Sequence, residues 1–187
     1  YLVGEENGGL RAMFAMMNFS RLGVAIQGPA MAERAYQLAR AYAEERVQGT
    51  NIDGTSPAAV PIIEHPDVRR MLMSMAAQAE ASRALNLYIA ACQDKAARHP
   101  DEAQRALNEA RQALILPIAK GWSTEGGIEA ANLGIQVHGG VGFIEETGAA
   151  QYLRDARISA IYEGTTGIQA NDLLFRKLVR DEGQAML

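Results

Sequence analysis

In the stretch ISAIYEGTTGIQANDL, the carboxylate of Glu163 stands between an apolar run and a cluster of glycines and threonines. Thr166 and Gln169 have the spacing of a capping box, which predicts a short helix with Thr166 as its N-cap and Gln169 at N3. Glu163 then precedes a helix N-terminus, where free N–H groups and the helix dipole favour negative charge. Gly164 beside it would let a ligand approach the backbone closely. From this stretch alone, Glu163 is either a complement to the helix dipole or a functional carboxylate.

A second stretch, QVHGGVGF over residues 136–143, is dense in glycine. Glycine permits left-handed backbone and close approach of a ligand. The stretch is not a dinucleotide-binding fingerprint, because it follows a predicted helix rather than a strand and lacks the GxGxxG spacing. It is either a plain helix stop with a turn or part of a binding surface.

Two arginines on the first predicted helix have both a structural and a functional interpretation. Arg46 ends the helix in AYAEERVQG. A cation there suits the helix dipole, and a guanidinium fork equally suits a phosphate. Arg21, in NFSR, is either solvated or directed at an anionic ligand.

Composition narrows the class of protein. The 187 residues are 48% hydrophobic and 21% charged, which is typical of a globular domain with a sizeable core. A net charge of -4 argues against nucleic-acid binding through phosphate contacts. Cys92 is the only cysteine, so an internal disulfide is excluded and a reducing compartment, the cytoplasm, is favoured. The three histidines are far apart in sequence, which argues against a metal site, and no apolar run reaches transmembrane length.

Helical periodicity dominates the chain. Apolar residues at three- and four-residue steps predict long helices over residues 10–47, 66–98, 101–120 and 124–137. The glycine-rich segment GWSTEGG is expected to separate the last two, and Gly139-Gly140 to end the fourth. A further helical stretch is expected over residues 146–160. These elements predict an all-α four-helix up-and-down bundle with extra C-terminal helices.

Residues 47–67 are rich in Gly, Pro, Thr and Asn, which predicts a loop between long helices. Its apolar VPII segment could pack down or pair locally. The chain starts YLVGEENGGL, without an initiating Met, and we expect residues 1–187 to be one domain of a larger protein.

The motifs together are far more specific than any one of them. Their order and spacing resemble the acyl-CoA dehydrogenase family. The motifs are LVGEENGG before a long helix, SR early in that helix and ER at its end, followed by IQVHGGVGF, LRDARI and IYEGTTGIQ. The resemblance covers essentially the whole chain, but only the family's C-terminal helical domain. The loop at 47–67 and the segment before QVHGGVGF look most like the longer enzymes of the 3-methylmercaptopropionyl-CoA dehydrogenase type.

The resemblance implies roles for the residues at the motif positions. Glu163 in IYEGT matches the catalytic base that removes the α-proton of an acyl thioester. For the substrate, the resemblance implies that Gly164 lies beside the thioester and Arg21 near the CoA end. For the cofactor, it implies that Thr165 and Thr166 contact the flavin and that Arg46 reaches the FAD pyrophosphate across a subunit interface. The FAD adenosine part of a neighbouring subunit is matched by Gln136, Val137, His138, Gly139 and Gly140. Asn18, Pro66 and Gly167 depart from residues common in the family, so the corresponding contacts are not carried over.

The implied chemistry suits these residue types. An α-C–H beside a thioester is a weak acid that needs a base held at the carbon and donors for the developing enolate. The flavin accepts the hydride from the β-carbon. The resemblance further implies an acyl-CoA substrate, an electron-transfer flavoprotein as acceptor, and a homodimer or homotetramer. Because the family also uses two other domains, we expect this chain alone to hold incomplete sites and to be inactive.

Three other functions compete with this one. A non-catalytic member acting as an oligomerisation module would lack a carboxylate at position 163. An acyl-CoA oxidase would share the base but differ in oxygen access, and a nitroalkane-type oxidase typically carries Asp there. An unrelated scaffold, with its methionine stripe as a groove for partner helices, is disfavoured by the motif set.

Overall fold

The computed structural model describes residues 4–55, 57–179 and 182–186. Three long helices, α1 (Gly9–Glu45), α2 (Pro66–Arg98) and α3 (Glu102–His138), all pack against one another. The chain continues through α4 (Gly140–Phe143), α5 (Ala149–Ser159) and α6 (Thr166–Asn171). α5 packs against α3 and α1, and α6 against α3. The all-α bundle predicted from the sequence is confirmed.

Alanine and methionine fill the centre of the bundle. The principal core combines small residues of α1 with larger ones of α2 and the C-terminal half of α3, namely Ala32, Ala35, Ala39, Ala43, Met71, Leu72, Met75, Ala79, Ala130, Ala131 and Val137. Because alanine has a short side chain, the α1 backbone lies close to its neighbours. Met71 and Met75 are 6% and 0% exposed, so these methionines of the stripe are core rather than groove.

The predicted helix break at GWSTEGG is wrong, because α3 continues through it from Glu102 to His138. The glycines lie where other helices come closest. A Cβ added to Gly28 of α1 would overlap the backbone carbonyl of Ser123, and one on Gly127 would lie 2.8 Å from the Gly28 carbonyl oxygen. A Cβ on Gly126 would overlap the side chain of Gln78. The glycines therefore serve helix packing, and that packing outweighs their low helix propensity.

The segment predicted as a loop contains a small hairpin. Strand β1 (Val47–Thr50) pairs antiparallel with β2 (Ala59–Pro61), and a 3₁₀ turn follows at Ile62–Glu64. Ile62 is 9% exposed and joins the core, so the VPII segment both pairs and packs down. The hairpin connects the end of α1 to the start of α2.

The C-terminal elements differ from expectation at one cap. Gly139 ends α3 with φ +63°, as the glycine pair predicted. The N-cap of α6 is Thr165, whose Oγ1 accepts from the Ile168 N–H at 3.2 Å, rather than the predicted Thr166. The Gln169 side chain does not return to the cap, so there is no capping box. After α6 the chain continues as a π-helix over Asp172–Val179.

Candidate active site

Glu163 lies in a tight turn between α5 and α6, here called the Glu163 turn (residues 161–165). Glu163 has φ +53° and Gly164 has φ +90°, so two consecutive residues are left-handed. That conformation costs a residue with a side chain about 1–2 kcal/mol. Glu163 is half-buried, and its carboxylate forms no hydrogen bond or ion pair with another residue in the described part of the chain. The turn thus presents an unpaired carboxylate.

Two buried side chains hold the carbonyls of this turn. Lys120, in the middle of α3, is fully buried, and its Nζ donates to the Gly164 carbonyl at 2.6 Å. Gln169, 2% exposed, donates from Nε2 to the Gly164 carbonyl at 3.1 Å and to the Glu163 carbonyl at 3.3 Å. The Gly164 carbonyl therefore accepts from two side chains, which occupies both of its lone pairs.

Sequence reasoning gave Gln169 a capping role and gave Lys120 no role. The one available signal was the segment LILPIAKGW, where a lysine stands inside an otherwise apolar stretch of helix. A buried lysine is rare unless it is paired or hydrogen-bonded. Its acceptor is 44 residues away along the chain, so no local pattern could identify it.

The charges around Lys120 act in opposite directions. Burial lowers the pKa of Lys120, and the nearby Arg21 guanidinium lowers it further. The carboxylates of Glu125 and Glu163 raise it, but by less. The site is therefore a cluster of mixed charge beneath the turn, in which burial is the largest influence on the ammonium group.

Arg21 lies below the turn and is buried. Of its two predicted alternatives, the solvated one is therefore wrong. It is 3% exposed and donates from Nη1 to Asp172 Oδ2 at 3.0 Å and to Asn18 Oδ1 at 3.1 Å. Its Nη2 lies 3.8 Å from the place where a Cβ on Gly164 would stand. Arg21 also lines a cavity of about 190 Å³ with Asn18, Asp172 and Lys177.

The two threonines after Gly164 have different hydrogen-bonding capacity left. The Thr165 hydroxyl is exposed and accepts from the Ile168 N–H, so its own O–H is still available to donate. The Thr166 hydroxyl donates to Glu125 Oε1 at 2.6 Å and keeps only acceptor capacity. Thr165 is therefore the donor that an incoming group could use.

A second group of predicted residues meets where α1 and α3 end, here called the helix-end pocket. Arg46, Val137, His138 and Gly139 line this pocket of about 330 Å³, together with Tyr42, Gln48, Gly49, Ile62, His65 and Val68. The Tyr42 and His138 rings stack with centroids 4.5 Å apart. His138 Nδ1 lies 2.7 Å from the Gly134 carbonyl, which makes Nδ1 the protonated nitrogen in the neutral ring. Gln136 and Gly140 lie beside the pocket without lining it.

The guanidinium of Arg46 is exposed at this pocket. Arg46 caps α1, and its Nη2 donates only to Gln48 Oε1, at 3.3 Å, among the described residues. A concave pocket with an exposed guanidinium and an adjoining glycine suits a phosphate or pyrophosphate group.

The structure does not bring the two groups of predicted residues together. Lys120 and His138 are 18 residues apart on α3, a separation of about 27 Å along the axis. The Glu163 turn and the helix-end pocket are therefore two separate partial surfaces on one chain.

Two further features are absent from the part of the chain that the structure describes. Within it, no three His, Cys, Asp or Glu side chains are grouped so as to hold a metal ion. Its helices include none with the length and apolar character needed to cross a bilayer.

The described residues form a helical bundle with a carboxylate turn and a separate pocket that suits an anion. Comparison with known proteins identifies the family of this bundle. Residues 7–178 match the family model described as acyl-CoA dehydrogenase, C-terminal domain. The chain therefore belongs to the acyl-CoA dehydrogenase family.

Individual relatives agree with this assignment. The chain is 56% identical over 184 residues to the 3-methylmercaptopropionyl-CoA dehydrogenase of Ruegeria pomeroyi, covering 98% of this chain and 31% of that protein. It is 42% identical over 193 residues to the broad-specificity linear acyl-CoA dehydrogenase FadE5 of Mycobacterium tuberculosis, again covering 31% of it. The butyryl-CoA dehydrogenase structure from Megasphaera elsdenii superposes with a TM-score of 0.73 at 27% identity, over 94% of this chain and 40% of that one. The chain thus spans about a third of the length of these curated relatives.

Proposed function

We propose that this chain is the C-terminal domain of a longer, three-domain FAD-dependent acyl-CoA dehydrogenase in which Glu163 is the base. The observation that carries the proposal is the unpaired, half-buried Glu163 carboxylate, held in a left-handed turn by two buried donors. The carboxylate of Asp172 is occupied by Arg21 at 3.0 Å, whereas no described residue pairs with the carboxylate of Glu163. This one is left available for an external proton.

The reaction is an α,β-dehydrogenation of an acyl-CoA thioester to the trans-2-enoyl-CoA. Glu163 removes the α-proton, and the β-hydride leaves to the flavin, which supplies the redox chemistry when bound. Gly164 lies beside the thioester, where the absence of a Cβ allows close approach. Thr165 offers its free O–H to the flavin, and Thr166 lies alongside it.

The FAD site is proposed to be shared between subunits. Arg46 would bind the pyrophosphate and His138, Gly139 and their neighbours the adenosine part, both in the flavin site of an adjacent copy. The separation of about 27 Å between the helix-end pocket and the Glu163 turn supports this arrangement, because one subunit then serves two sites. The proposal accordingly includes a homodimer or homotetramer, with an electron-transfer flavoprotein as acceptor.

The test is anaerobic mixing of the complete protein that contains this chain with acyl-CoA thioesters, while the flavin spectrum is recorded. The panel includes straight-chain thioesters of several lengths and 3-methylmercaptopropionyl-CoA, because that compound names the relative that is 56% identical. Wild-type flavin should bleach with at least one thioester. Glu163→Gln should still bind FAD and ligand but slow the bleaching by at least about 10²-fold, since general base catalysis contributes 10²–10⁴.

The matched control is Glu146→Gln, which makes the same charge change at an exposed residue away from the turn. It should bleach like the wild type. If Glu163→Gln bleaches as fast as the wild type, the base lies elsewhere and Glu163 complements the α6 dipole. If no thioester bleaches the wild-type flavin, the protein is a non-catalytic member of the family that acts as an oligomerisation module.

A further inference from the structure

Lys120 is the largest fully buried side chain in the described part of the protein. It lies on α3 next to the buried Leu116 and Ala119. A lysine in such surroundings loses its hydration, which is unfavourable unless a specific acceptor replaces the water. Its presence at this position therefore requires a structural or functional reason.

The single acceptor of the Lys120 ammonium group, among the residues described, is the carbonyl of Gly164. Glu125 and Glu163 influence it through space but do not form an ion pair with it. Lys120 is thus connected to the backbone of the Glu163 turn rather than to a carboxylate. This connection joins the middle of α3 to a short turn between α5 and α6.

The turn needs such support because of its backbone conformation. Glu163 at φ +53° would be more stable in an ordinary right-handed or extended conformation. Its left-handed conformation, followed by that of Gly164, points two consecutive carbonyls toward the interior. Gln169 donates to both of these carbonyls and Lys120 donates to the second.

The two carbonyls restrict where the Glu163 side chain can go. They belong to the planar peptide groups on either side of Gly164, and the first of these begins at the Glu163 Cα. Holding that peptide from inside limits the rotation that would swing the Cα–Cβ bond of Glu163, so its carboxylate keeps a narrower range of positions.

We propose that Lys120 and Gln169 are the positioning residues of the base, holding the Glu163 turn so that the carboxylate reaches the reacting carbon. The inference rests on the proposed function, because it assigns the two residues a part in that reaction. Neither residue touches the substrate. Each acts through the backbone of the Glu163 turn: Gln169 of α6 holds both carbonyls, and Lys120 of α3 holds the second.

The first experiment measures the turn itself, without reference to activity. Hydrogen–deuterium exchange of the chain is compared among the wild type, Lys120→Met and Gln169→Met, which keep side-chain length and remove the donor. The amides of Thr166, Ile168 and Gln169, which donate to Ala160 and Thr165 around the turn, should exchange at least about tenfold faster in both variants, while core peptides over residues 32–43 stay unchanged. Unchanged exchange at these three amides would overturn the proposal.

The second experiment uses the complete flavoprotein and separates binding from the proton transfer. The dependence of the flavin-reduction rate on acyl-CoA concentration gives a limiting rate constant and a ligand dissociation constant. Both variants should lower the limiting rate constant by about 10- to 100-fold, as expected for a displaced catalytic group, and leave the dissociation constant within about twofold. A purely structural role would lower the yield of folded protein or its flavin content, and the limiting rate constant per bound flavin would stay unchanged.

Matched controls and the Glu163→Gln variant make the outcomes distinguishable. Lys95→Met and Gln104→Met make the same changes at exposed residues and should behave like the wild type. If Glu163→Gln abolishes reduction while the two positioning variants reduce normally, the positioning role is wrong and the proposed function stands. If Glu163→Gln itself reduces normally, the proposed function fails. If one positioning variant does not fold, the other decides, and failure of both to fold would show that the pair serves the fold alone.

Discussion

At the scale of single residues, the charged group of Lys120 lies in an unfavourable environment. Burial lowers its pKa, and Arg21 on α1 lowers it further, while Glu125 on α3 and Glu163 in the turn oppose them. Asp172 already neutralises Arg21 at 3.0 Å, so the unfavourable contribution of Arg21 is partly offset. The folded chain therefore releases the Lys120 proton at a lower pH than the unfolded chain does.

This difference predicts how the stability depends on pH. Between the lowered folded pKa and the ordinary value near 10.5, the unfolded state binds more protons, so the free energy of unfolding due to Lys120 rises with pH. The wild type should therefore gain stability relative to Lys120→Met as the pH increases through that window. Urea unfolding of both proteins from neutral pH upward measures the difference. A stability difference between the wild type and Lys120→Met that does not change with pH would show that Lys120 is hydrated in solution.

At the scale of secondary-structure elements, the close crossing of α1 and α3 depends on two glycines. Gly28 and Gly127 face each other so closely that neither has room for a Cβ. A side chain on either would push α1 and α3 apart beside Ser123, whose hydroxyl also accepts a buried hydrogen bond of 3.0 Å from Asn86 of α2.

Gly28→Ala should therefore destabilise the chain by about 3 kcal/mol or more, the upper end of the range for overpacking, because the added Cβ meets backbone rather than a movable side chain. The matched control is Gly23→Ala on the same helix, where a Cβ would meet nothing within 4 Å. That variant should be stabilised by up to about 1 kcal/mol through helix propensity. Thermal and urea unfolding give both values, and similar behaviour of the two variants would mean that the helices can move apart freely.

The same crossing explains what could and could not be predicted from the sequence at this scale. Apolar periodicity located α1 and α2 to within two residues, since each has one buried stripe. The glycines of GWSTEGG predicted a break in α3 because local propensity disfavours them, whereas their contacts with Gly28 and Gln78 belong to tertiary packing. The Glu163 turn was found through its motif, but the contact of Lys120 needed the fold, because its hydrogen bond spans 44 residues. Gln169 was predicted to cap the helix, whereas its side chain donates to two carbonyls of the turn just before it.

At the scale of the whole molecule, one chain carries two partial surfaces rather than one complete site. The Glu163 turn and the helix-end pocket are about 27 Å apart along α3. Large apolar side chains are also exposed along the N-terminal half of α1, including Leu10, Met16 and Phe19 at 70%, 62% and 73%. An exposed apolar surface of this kind is typical of a contact with another domain or subunit.

We therefore expect the isolated chain to bind FAD weakly, with well under one flavin per chain after purification, and to show no reduction with acyl-CoA. Each partial surface supplies only some of the contacts that the cofactor needs. Visible absorbance after gel filtration with added FAD gives the stoichiometry, and the complete protein run in the same way is the control. A stoichiometric yellow complex of the chain alone would show that the flavin site is complete without further domains.

Under the proposed function, the left-handed conformation of Glu163 means that the stability of the fold and the reaction favour different residues at position 163. Glycine at position 163 would relieve the backbone of about 1–2 kcal/mol, at φ +53°, and would remove the carboxylate. In a lineage that kept the bundle but no longer needed the reaction, mutation would move this position toward glycine while the buried alanines and Gly28 remained. Under the proposed function, the residue at position 163 therefore shows whether a given descendant still uses this carboxylate as a base.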